Sequence, residues 1–309
     1  MRQGVLYMTR IGVVGLGYWG SKVVEEYVAL RNNGDIDAVI ACDVDEERLI
    51  STDGVDVRNV DLSSTLERID GLHICTPIGT HADLAVPALQ AGVDVLIEKP
   101  FTDNRSSAFD LMQLASCEDR IIQIGHIYRF ANVIERLREL HNVGRFGELQ
   151  TITMRWTHQV DPPAGTDVLW DLAAHPIDIL NYVTGEWPSN EYCRSRTRPS
   201  ADGPVGATAQ FRLGSTDVTM QLSWDDWIRR RTIELVGTEA SALVKAVDQN
   251  IVIYDEDGTE RIPVEANNTI RREAANFVEA IRTRRNTANS AVIGVRTVEA
   301  IERLENSLL

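Results

Sequence analysis

The sequence predicts an α/β protein of two domains, the first built on a doubly wound parallel sheet and the second on an open-faced antiparallel sheet. Up to about residue 125, short apolar runs alternate with amphipathic segments, which is typical of strands joined by helices. Beyond that point, apolar residues mostly alternate with polar ones, as in strands with one solvent-facing side. We therefore expect domains at 1–125 and 126–309, separated by a change of architecture and not by a flexible linker.

The first domain contains short, continuous apolar runs that are typical of strands buried on both faces. The predicted strands are Ile11–Val14, Ala38–Cys42, Gly71–Cys75, Val93–Ile97 and Ile121–Ile124. Amphipathic helices are predicted between them, including one with Val23, Val24, Tyr27 and Val28 inward, and those at His81–Ala91 and Ser106–Ser116. Right-handed crossovers between parallel strands would place helices on both faces, as in a Rossmann fold.

The second domain is predicted to be α+β. Its expected strands are Leu149–Trp156, Glu191–Arg198, Ala207–Leu213, Asp217–Trp224, Arg231–Val236, Ala240–Val247 and Ile251–Tyr254. Predicted helices lie at Asn132–Leu140, Val168–Val183, Ile270–Arg282 and Ile293–Leu308, and the last two could pack back on the first domain.

The charge balance excludes several classes of partner. The chain has 46 acidic and 31 basic residues among 309, for a net charge of −15. Such a surface repels nucleic acids and anionic membranes, so we expect neither as a partner. Only three lysines occur, which is typical of proteins kept soluble in concentrated salt; an acidic mesophilic protein from a GC-rich genome is the alternative.

Nothing in the sequence indicates a membrane span or a disulfide framework. No apolar run approaches the roughly 20 residues that cross a bilayer, and the N-terminus resembles no signal peptide, so we expect a cytoplasmic protein. Residues 1–7 precede Met8 and could be an extension or a mis-assigned start. No C-x-x-C pair and no metal-ligand spacing of histidines occurs, so we predict reduced thiols and no metal.

A glycine-rich turn follows the first predicted strand and opens a helix, with the sequence Gly15-Leu16-Gly17-Tyr18-Trp19-Gly20. In this G-x-G-x-x-G context, Gly15 permits the sharp bend, Gly17 lets the backbone approach a pyrophosphate, and Gly20 allows close helix–strand packing. The helix N-terminus adds free N–H groups and a positive dipole end. The motif predicts a dinucleotide site that includes Tyr18 and Trp19; the alternative is a plain strand–helix turn.

Asp43 ends the second predicted strand, where an acidic residue binds the adenosine ribose hydroxyls in dinucleotide-binding domains. A carboxylate there would repel a 2′-phosphate, and the next residue, Val44, offers no cation to accept one. NAD is therefore favoured over NADP.

Lys99 lies at the carboxyl end of a buried strand, between Glu98 and Pro100. Ligands of open α/β sheets bind at this edge. An ammonium can shuttle a proton and hydrogen-bond a substrate oxygen, whereas a guanidinium stays charged, so a lysine in this lysine-poor chain suggests chemistry. The alternative is a surface Glu–Lys pair at a strand end.

Asp171 and His175 are four residues apart and share one face if the segment is helical. Alcohol oxidation needs a base near neutral pH, and histidine has a suitable pKa that a neighbouring carboxylate can raise. Pro176 would interrupt a continuous helix, so His175 could lie near a helix start. The alternative is a structural pair.

Together, these motifs resemble the glucose–fructose oxidoreductase/inositol dehydrogenase/rhizopine-catabolism (Gfo/Idh/MocA) family over residues 10–307. The matching segments are Gly15–Gly20, His73–Pro77 with His81, Ala91–Val93, Glu98–Pro100, Gly125–Phe130, Asp171–Asp178 and Asn276–Ile281. Locally, the chain is most similar to nucleotide-sugar 3-dehydrogenases, although Asp171 stands where that subgroup usually has Asn and no uridine site is evident.

The resemblance implies an NAD-dependent oxidoreductase that takes hydride from a carbon–hydroxyl group of a sugar, polyol or nucleotide-sugar. It implies that Lys99 hydrogen-bonds the reacting hydroxyl, that Asp171 binds the sugar and that His175 accepts the proton. The ammonium and the imidazole would have to meet over one bound nicotinamide ring. The implied nicotinamide contacts are Thr76, Pro77 and Glu98, with His81 supporting that loop, and the further substrate contacts are Tyr128 and Arg129.

The family also implies a homodimer or homotetramer. Two other activities occur on this fold: a non-catalytic NAD-sensing regulator, which needs none of Lys99, Asp171 and His175, and an NAD-dependent glycoside hydrolase. The particular sugar and the physiological direction stay open.

Overall fold

The computed structural model describes residues 9–162, 165–197, 203–285 and 287–308. Residues 1–7 and the predicted strand end at Arg198 lie outside these ranges. The chain divides into two compact units. The first comprises residues up to Gly125 together with Thr269–Val295, and the second comprises His126–Asn268 together with residues from Arg296 onward.

The strands are numbered in chain order. They are β1 (Arg10–Val14), β2 (Ala38–Cys42), β3 (Val57–Asn59), β4 (Gly71–Ile74), β5 (Asp94–Ile97), β6 (Ile122–Ile124), β7 (Leu149–Gln159), β8 (Ser189–Thr197), β9 (Pro204–Leu213), β10 (Thr216–Ser223), β11 (Asp225–Gly237), β12 (Ser241–Lys245), β13 (Asn250–Asp255) and β14 (Gly258–Ile262).

The α-helices are numbered in the same way. They are α1 (Tyr18–Asn32), α2 (Glu46–Ser51), α3 (Leu62–Leu66), α4 (His81–Gln90), α5 (Arg105–Cys117), α6 (Asn132–Asn142), α7 (Val168–Leu172), α8 (Ala174–Thr184), α9 (Thr269–Thr283) and α10 (Ala291–Asn306). No helix within the described ranges is both long and apolar enough to cross a membrane.

The first unit is built on a parallel sheet with the strand order β3-β2-β1-β4-β5-β6. Strand β1 pairs with β2 on one side and with β4 on the other, so the winding direction reverses between β1 and β4. Ligands of doubly wound sheets bind beyond the carboxyl ends of the strands at such a reversal. The parallel sheet and the Rossmann topology predicted from the sequence are confirmed.

Helix α9 belongs to the first unit, although it comes late in the chain. Its Phe277 joins the core cluster that contains Ile11 and Tyr27, all of which are fully buried. Arg271 of α9 also forms an ion pair with Glu26 of α1, at 2.7 Å. The predicted range 126–309 for the second domain therefore differs from the observed unit by this returning segment.

The second unit is built on a sheet with the order β14-β13-β12-β11-β7-β10-β9-β8. Along β9, Ala207, Ala209 and Phe211 are buried while the intervening side chains are exposed, so one face is polar as predicted. Helices α6, α7 and α8 contribute to the core cluster that includes the buried sheet residues. The sheet is mostly antiparallel, but β7 and β10 run parallel, because the long connection between them allows a crossover that alternation alone does not reveal.

Candidate functional site

The glycine turn places the end of β1 against the start of α1. Gly15 has φ +88°, a conformation that L residues rarely adopt, and a side chain there would also contact Thr76. A Cβ on Gly20 would lie 1.8 Å from the carbonyl oxygen of Gly15, so only glycine allows the helix to pack so closely on the turn. Both glycines are thus required by the fold itself.

Gly17 differs from its two neighbours in the motif. Its φ is −68°, which any residue adopts, and a Cβ there would have no heavy atom of the described chain within 4 Å. The protein's own packing therefore does not require glycine here. The open space beside this backbone, at the N-terminus of the 15-residue helix α1, fits a pyrophosphate that must approach the main chain closely.

Asp43 holds the glycine turn through the main chain. Its side chain is 5% exposed, and one oxygen accepts a hydrogen bond from the Leu16 amide at 2.6 Å while the other accepts from the Asp45 amide at 2.9 Å. Arg48 lies 3.8 Å from the same carboxylate, so a cation is present near Asp43 although the adjacent Val44 offers none. It also pairs with Asp45 at 3.3 Å, so its charge is shared between two carboxylates, which agrees with the preference for NAD.

Glu98, at the carboxyl end of β5, anchors a buried polar network. Its Oε1 accepts from the Trp19 indole and lies 3.4 Å from His73 Nε2, and the other ring nitrogen of His73 lies 3.3 Å from the Tyr27 hydroxyl. Burial alone would raise the pKa of Glu98, but the hydrogen bonds from His73 and Trp19 and the charge of Lys99 leave this pKa below its ordinary value. Glu98 is thus held as a carboxylate.

A nitrogen, a sulfur and an oxygen come together in this network. The donor atoms of His73, Cys75 and Glu98 lie within 4.8 Å of one another, a grouping that the sequence spacing did not indicate. Burial raises the pKa of the Cys75 thiol, and the carboxylates of Glu98 and Glu273 raise it further. A thiol that holds its proton is a poor metal ligand. The prediction of no metal stays a prediction.

His81 connects the two loops that flank the network. It is 1% exposed, with Nε2 2.9 Å from the Thr76 carbonyl oxygen and Nδ1 3.1 Å from that of Pro100. Burial lowers the pKa of His81, against the effect of these carbonyl oxygens. His81 thus connects the backbones of Thr76 and Pro100, and its support of the Thr76–Pro77 loop at the cofactor stays a prediction.

Lys99 follows β5 directly, and its peptide bond to Pro100 is cis. Its side chain is half-buried, and its amide donates to Glu98 Oε2 at 3.3 Å. The carboxylate network described above therefore fixes the main chain that carries the ammonium. Lys99 lies at the carboxyl edge of the parallel sheet, as its position after a buried strand predicted.

In the second unit, the helix predicted at Val168–Val183 is broken. Helix α7 ends at Leu172 and α8 begins at Ala174, so His175 lies in the first turn of α8, as Pro176 predicted.

Aromatic side chains contact both Asp171 and His175. The indole of Trp224 donates to Asp171 Oδ2 at 3.0 Å, and the Tyr128 ring packs edge-on against the His175 ring at 4.9 Å between centroids. Tyr128 also packs edge-on against the buried Trp156, at 5.4 Å. Trp224 and Trp156 are core residues, so neither is a sugar-stacking surface.

Arg129 lies in a buried setting against a carboxylate. Its Nε donates to Asp178 at 2.7 Å and it also donates to Asn181 at 3.0 Å, and its contact with the substrate stays a prediction. Asp178 also lies 2.7 Å from His126 Nδ1. Burial would raise the pKa of Asp178, but the charges of His126 and Arg129 hold it below its ordinary value. Arg129 is therefore the counter-ion of a buried carboxylate.

Two models of one family match most of the described chain. Residues 9–126 match the family described as "Oxidoreductase family, NAD-binding Rossmann fold", and residues 134–243 match the "GFO/IDH/MocA C-terminal domain". The chain belongs to the Gfo/Idh/MocA family. Its first unit carries the family's NAD-binding domain, and the resemblance inferred from the motifs is confirmed.

Among Gfo/Idh/MocA proteins, the UDP-N-acetylglucosamine 3-dehydrogenase of Acidithiobacillus ferrooxidans is 30% identical over 187 residues, 58% of this chain and 55% of that protein. The inositol 2-dehydrogenase of Corynebacterium glutamicum is 27% identical over 185 residues, 57% of this chain and 54% of that protein. The alignments thus span little more than half the length of these relatives. A solved structure of the Acidithiobacillus enzyme superposes with a TM-score of 0.86 at 25% identity, covering 97% of this chain and 98% of that one.

Sequence reasoning missed the residues that support the Gfo/Idh/MocA motifs. Trp224 contacts Asp171 from 53 positions away, His73 contacts Glu98 from 25 positions away, and Tyr27 contacts His73 from 46 positions away. No local pattern marks such partners. Asp178 did carry a signal, because it closes the D-x-x-x-H-x-x-D motif, but its partner Arg129 lies 49 residues earlier.

Proposed function

We propose that this protein is an NAD-dependent dehydrogenase that oxidises a carbon–hydroxyl group of a sugar, polyol or nucleotide-sugar. Lys99 carries the proposal, because it lies at the ligand-binding edge of the NAD-binding sheet on a backbone held by Glu98 and, through Pro100, by His81. An NAD-sensing regulator needs no ammonium at this position. The relatives that act on sugars and inositols support the same class of substrate.

The residues present fit NAD. The turn at Gly15–Gly20 would hold the pyrophosphate, with Tyr18 and Trp19 beside it, and Asp43 would hold the adenosine ribose. Thr76, Pro77 and Glu98 would line the nicotinamide side. When bound, NAD supplies the acceptor for the hydride that leaves the substrate carbon.

In this proposal, side chains of the protein bind the reacting hydroxyl group and accept its proton. The ammonium of Lys99 donates a hydrogen bond to the reacting hydroxyl oxygen and favours its deprotonation. The imidazole of His175 accepts the hydroxyl proton, and Asp171, oriented by Trp224, binds the sugar. Loss of hydride from carbon and of a proton from oxygen leaves a carbonyl.

A panel of sugars, inositols and UDP-sugars tests the proposed function. We expect NADH absorbance to appear with NAD and at least one member of the panel, at low or high salt, and more slowly with NADP. If no member reduces either cofactor, the proposal is wrong. A strong preference for NADP would contradict the role given to Asp43.

The two glycines that differ in their surroundings provide a test of the cofactor site. Gly17→Ala should leave the free protein as stable as the wild type, or more stable by about 0.4–1 kcal/mol, because its backbone suits alanine. It should nevertheless weaken NAD binding, since the methyl group enters the open space. Gly20→Ala should destabilise the fold by about 1–3 kcal/mol through the clash with the Gly15 carbonyl.

Thermal unfolding with and without NAD separates these two effects. The expected pattern is a normal midpoint without the NAD-induced rise for Gly17→Ala, and a lowered midpoint in both conditions for Gly20→Ala. An unchanged NAD-induced rise of the unfolding midpoint in Gly17→Ala would contradict the placement of the pyrophosphate at this turn.

We further propose that the chain forms a homodimer or homotetramer, as the family resemblance implies. Light scattering that gives the mass of one chain, 34.5 kDa, would contradict an oligomer.

A further inference from the structure

Three consecutive arginines near the start of β11 differ in their partners. Arg230 forms an ion pair with Asp226. Arg231 donates instead to uncharged acceptors, namely the carbonyl oxygens of Thr157 and Arg230 at 3.0 and 2.8 Å, and it lies 2.8 Å from Nδ1 of His158. The side chain of Arg229 is exposed and forms no hydrogen bond or ion pair with the described part of the chain. Two of these three charges therefore have no carboxylate within ion-pair distance among the described residues.

The strand register places Arg231 on the helix-covered face of the sheet. Arg231 is paired with Trp156, which is fully buried on that face, and its guanidinium carbon lies 5.7 Å from the centroid of the Trp156 ring. Paired residues of antiparallel strands project to the same side. A guanidinium thus lies where the sheet otherwise presents apolar side chains to the helices.

The charges of Arg229 and Arg231 both act on Tyr128, the tyrosine that contacts His175. Burial raises the pKa of Tyr128, and the charges of Arg231 and Arg229 oppose that rise. The Tyr128 ring packs against the His175 ring at 4.9 Å. The two arginines therefore lie beside the residues proposed to bind and deprotonate the substrate, all within the second unit.

The lack of a carboxylate at ion-pair distance is unusual for this chain. Its net charge is −15, so carboxylates are abundant, and most other arginines that form side-chain hydrogen bonds or ion pairs in the described ranges pair with one. Two neighbouring guanidinium groups repel each other: burial lowers the pKa of Arg231 and the charge of Arg229 lowers it further, against the opposing effects of Tyr128 and Asp171. A ligand that brings its own negative charge would relieve this repulsion and gain charge-assisted hydrogen bonds.

We propose that Arg229 and Arg231 bind a carboxylate or phosphoryl group of the substrate, so that the protein selects acidic or phosphorylated sugars over neutral polyols. This inference rests on the proposed function and narrows its substrate class. Trp227, two residues before Arg229, is 88% exposed and offers a ring on which a nucleobase can stack. A nucleotide-sugar is therefore one source of the anion, alongside a uronate and a sugar phosphate.

A charge-reversal variant with a matched control tests this selectivity. Arg229→Glu is compared with Arg194→Glu, which makes the same change at an exposed arginine of β8, at the far side of the sheet. The substrates are glucose, myo-inositol, glucuronate, glucose 6-phosphate and UDP-N-acetylglucosamine, assayed with NAD. We expect at least one anionic substrate to show kcat/KM about tenfold or more above the neutral ones.

Arg229→Glu should lower that preferred kcat/KM by about tenfold or more, mainly through KM, and lower the kcat/KM of neutral substrates much less, so that the preference for the anionic substrate falls. Arg194→Glu should leave kcat/KM unchanged for the anionic and for the neutral substrates. Rising salt should reduce the preference of the wild type for the anionic substrate. If the nucleotide-sugar is the preferred substrate, Trp227→Ala should weaken the binding of that substrate alone. If Arg229→Glu affects only the other anionic substrates, the site binds a carboxylate or a simple phosphate.

Preference for a neutral substrate, or equal effects of the two charge reversals, would overturn the inference and leave the dehydrogenase function standing. If no sugar is oxidised, the proposed function fails, and calorimetry with UDP-N-acetylglucosamine and with glucuronate still decides the inference. Binding to the wild type that Arg229→Glu weakens supports the anion site, and failure of both anions to bind overturns it.

Discussion

Replacing Lys99 with methionine should lower kcat by about 10² to 10⁴-fold while leaving NAD binding nearly intact. Methionine preserves the length of the side chain but removes the ammonium that hydrogen-bonds the reacting oxygen. The main chain of Lys99 is held through its amide by Glu98, so the neighbouring cofactor contacts should persist. Initial rates of NADH formation measure the loss, and the NAD-induced rise in the unfolding midpoint measures cofactor binding.

Lys245→Met provides the matched control. Lys245 is an exposed lysine at the end of β12, so its replacement removes the same charge away from the residues of the proposal. Its activity should equal that of the wild type. If Lys99→Met retains near wild-type turnover, the assignment of this lysine is wrong, and the case for an enzyme over an NAD-sensing regulator weakens with it.

Replacing His175 with asparagine should lower kcat/KM by about 10² to 10⁴-fold, because the reacting hydroxyl loses its proton acceptor. Asparagine keeps a polar side chain in the first turn of α8, so binding of the sugar should suffer less than the chemical step. The variant should also lose the rise of kcat/KM with pH that a neutral imidazole gives the wild type, since only the unprotonated ring accepts a proton. A pH series of initial rates measures both effects.

The control for this change is His141→Asn. His141 lies near the end of α6, and burial lowers its pKa, but it has no part in the proposed reaction. Its rates and pH profile should match the wild type. A normal pH profile in His175→Asn would transfer the role of base to another group.

The sequence predicted most of the first unit because strands covered on both faces need continuous apolar runs, which are visible locally. It missed β3, whose residues Val57-Arg58-Asn59 carry no such run because the strand is short and lies at the sheet edge. It also left the parallel pairing of β7 with β10 unseen. Alternation reports which face of a strand is buried but not the direction of its neighbour.

The candidate site shows the same difference between features that local sequence reveals and features that depend on packing. Gly15, Gly17, Gly20, Lys99 and His175 lie in local patterns, so their candidacy followed from neighbours in the chain. The partners that orient them come from distant segments: Trp224 is 53 residues from Asp171, and Glu98 is 79 residues from Trp19. Such contacts depend on how elements pack, which single-sequence patterns do not encode.

By itself, the sequence determined the order of elements, the family, the nucleotide-binding turn and the acidic character, from which we expect no anionic polymer as a partner. Only the tertiary structure decided which charges are neutralised. It made Arg129 the counter-ion of Asp178, paired Arg230 with Asp226, and left Arg229 and Arg231 without a carboxylate at ion-pair distance among the described residues. The physical reason is that an ion pair forms between groups close in space, and the chain brings those groups together from any separation along it.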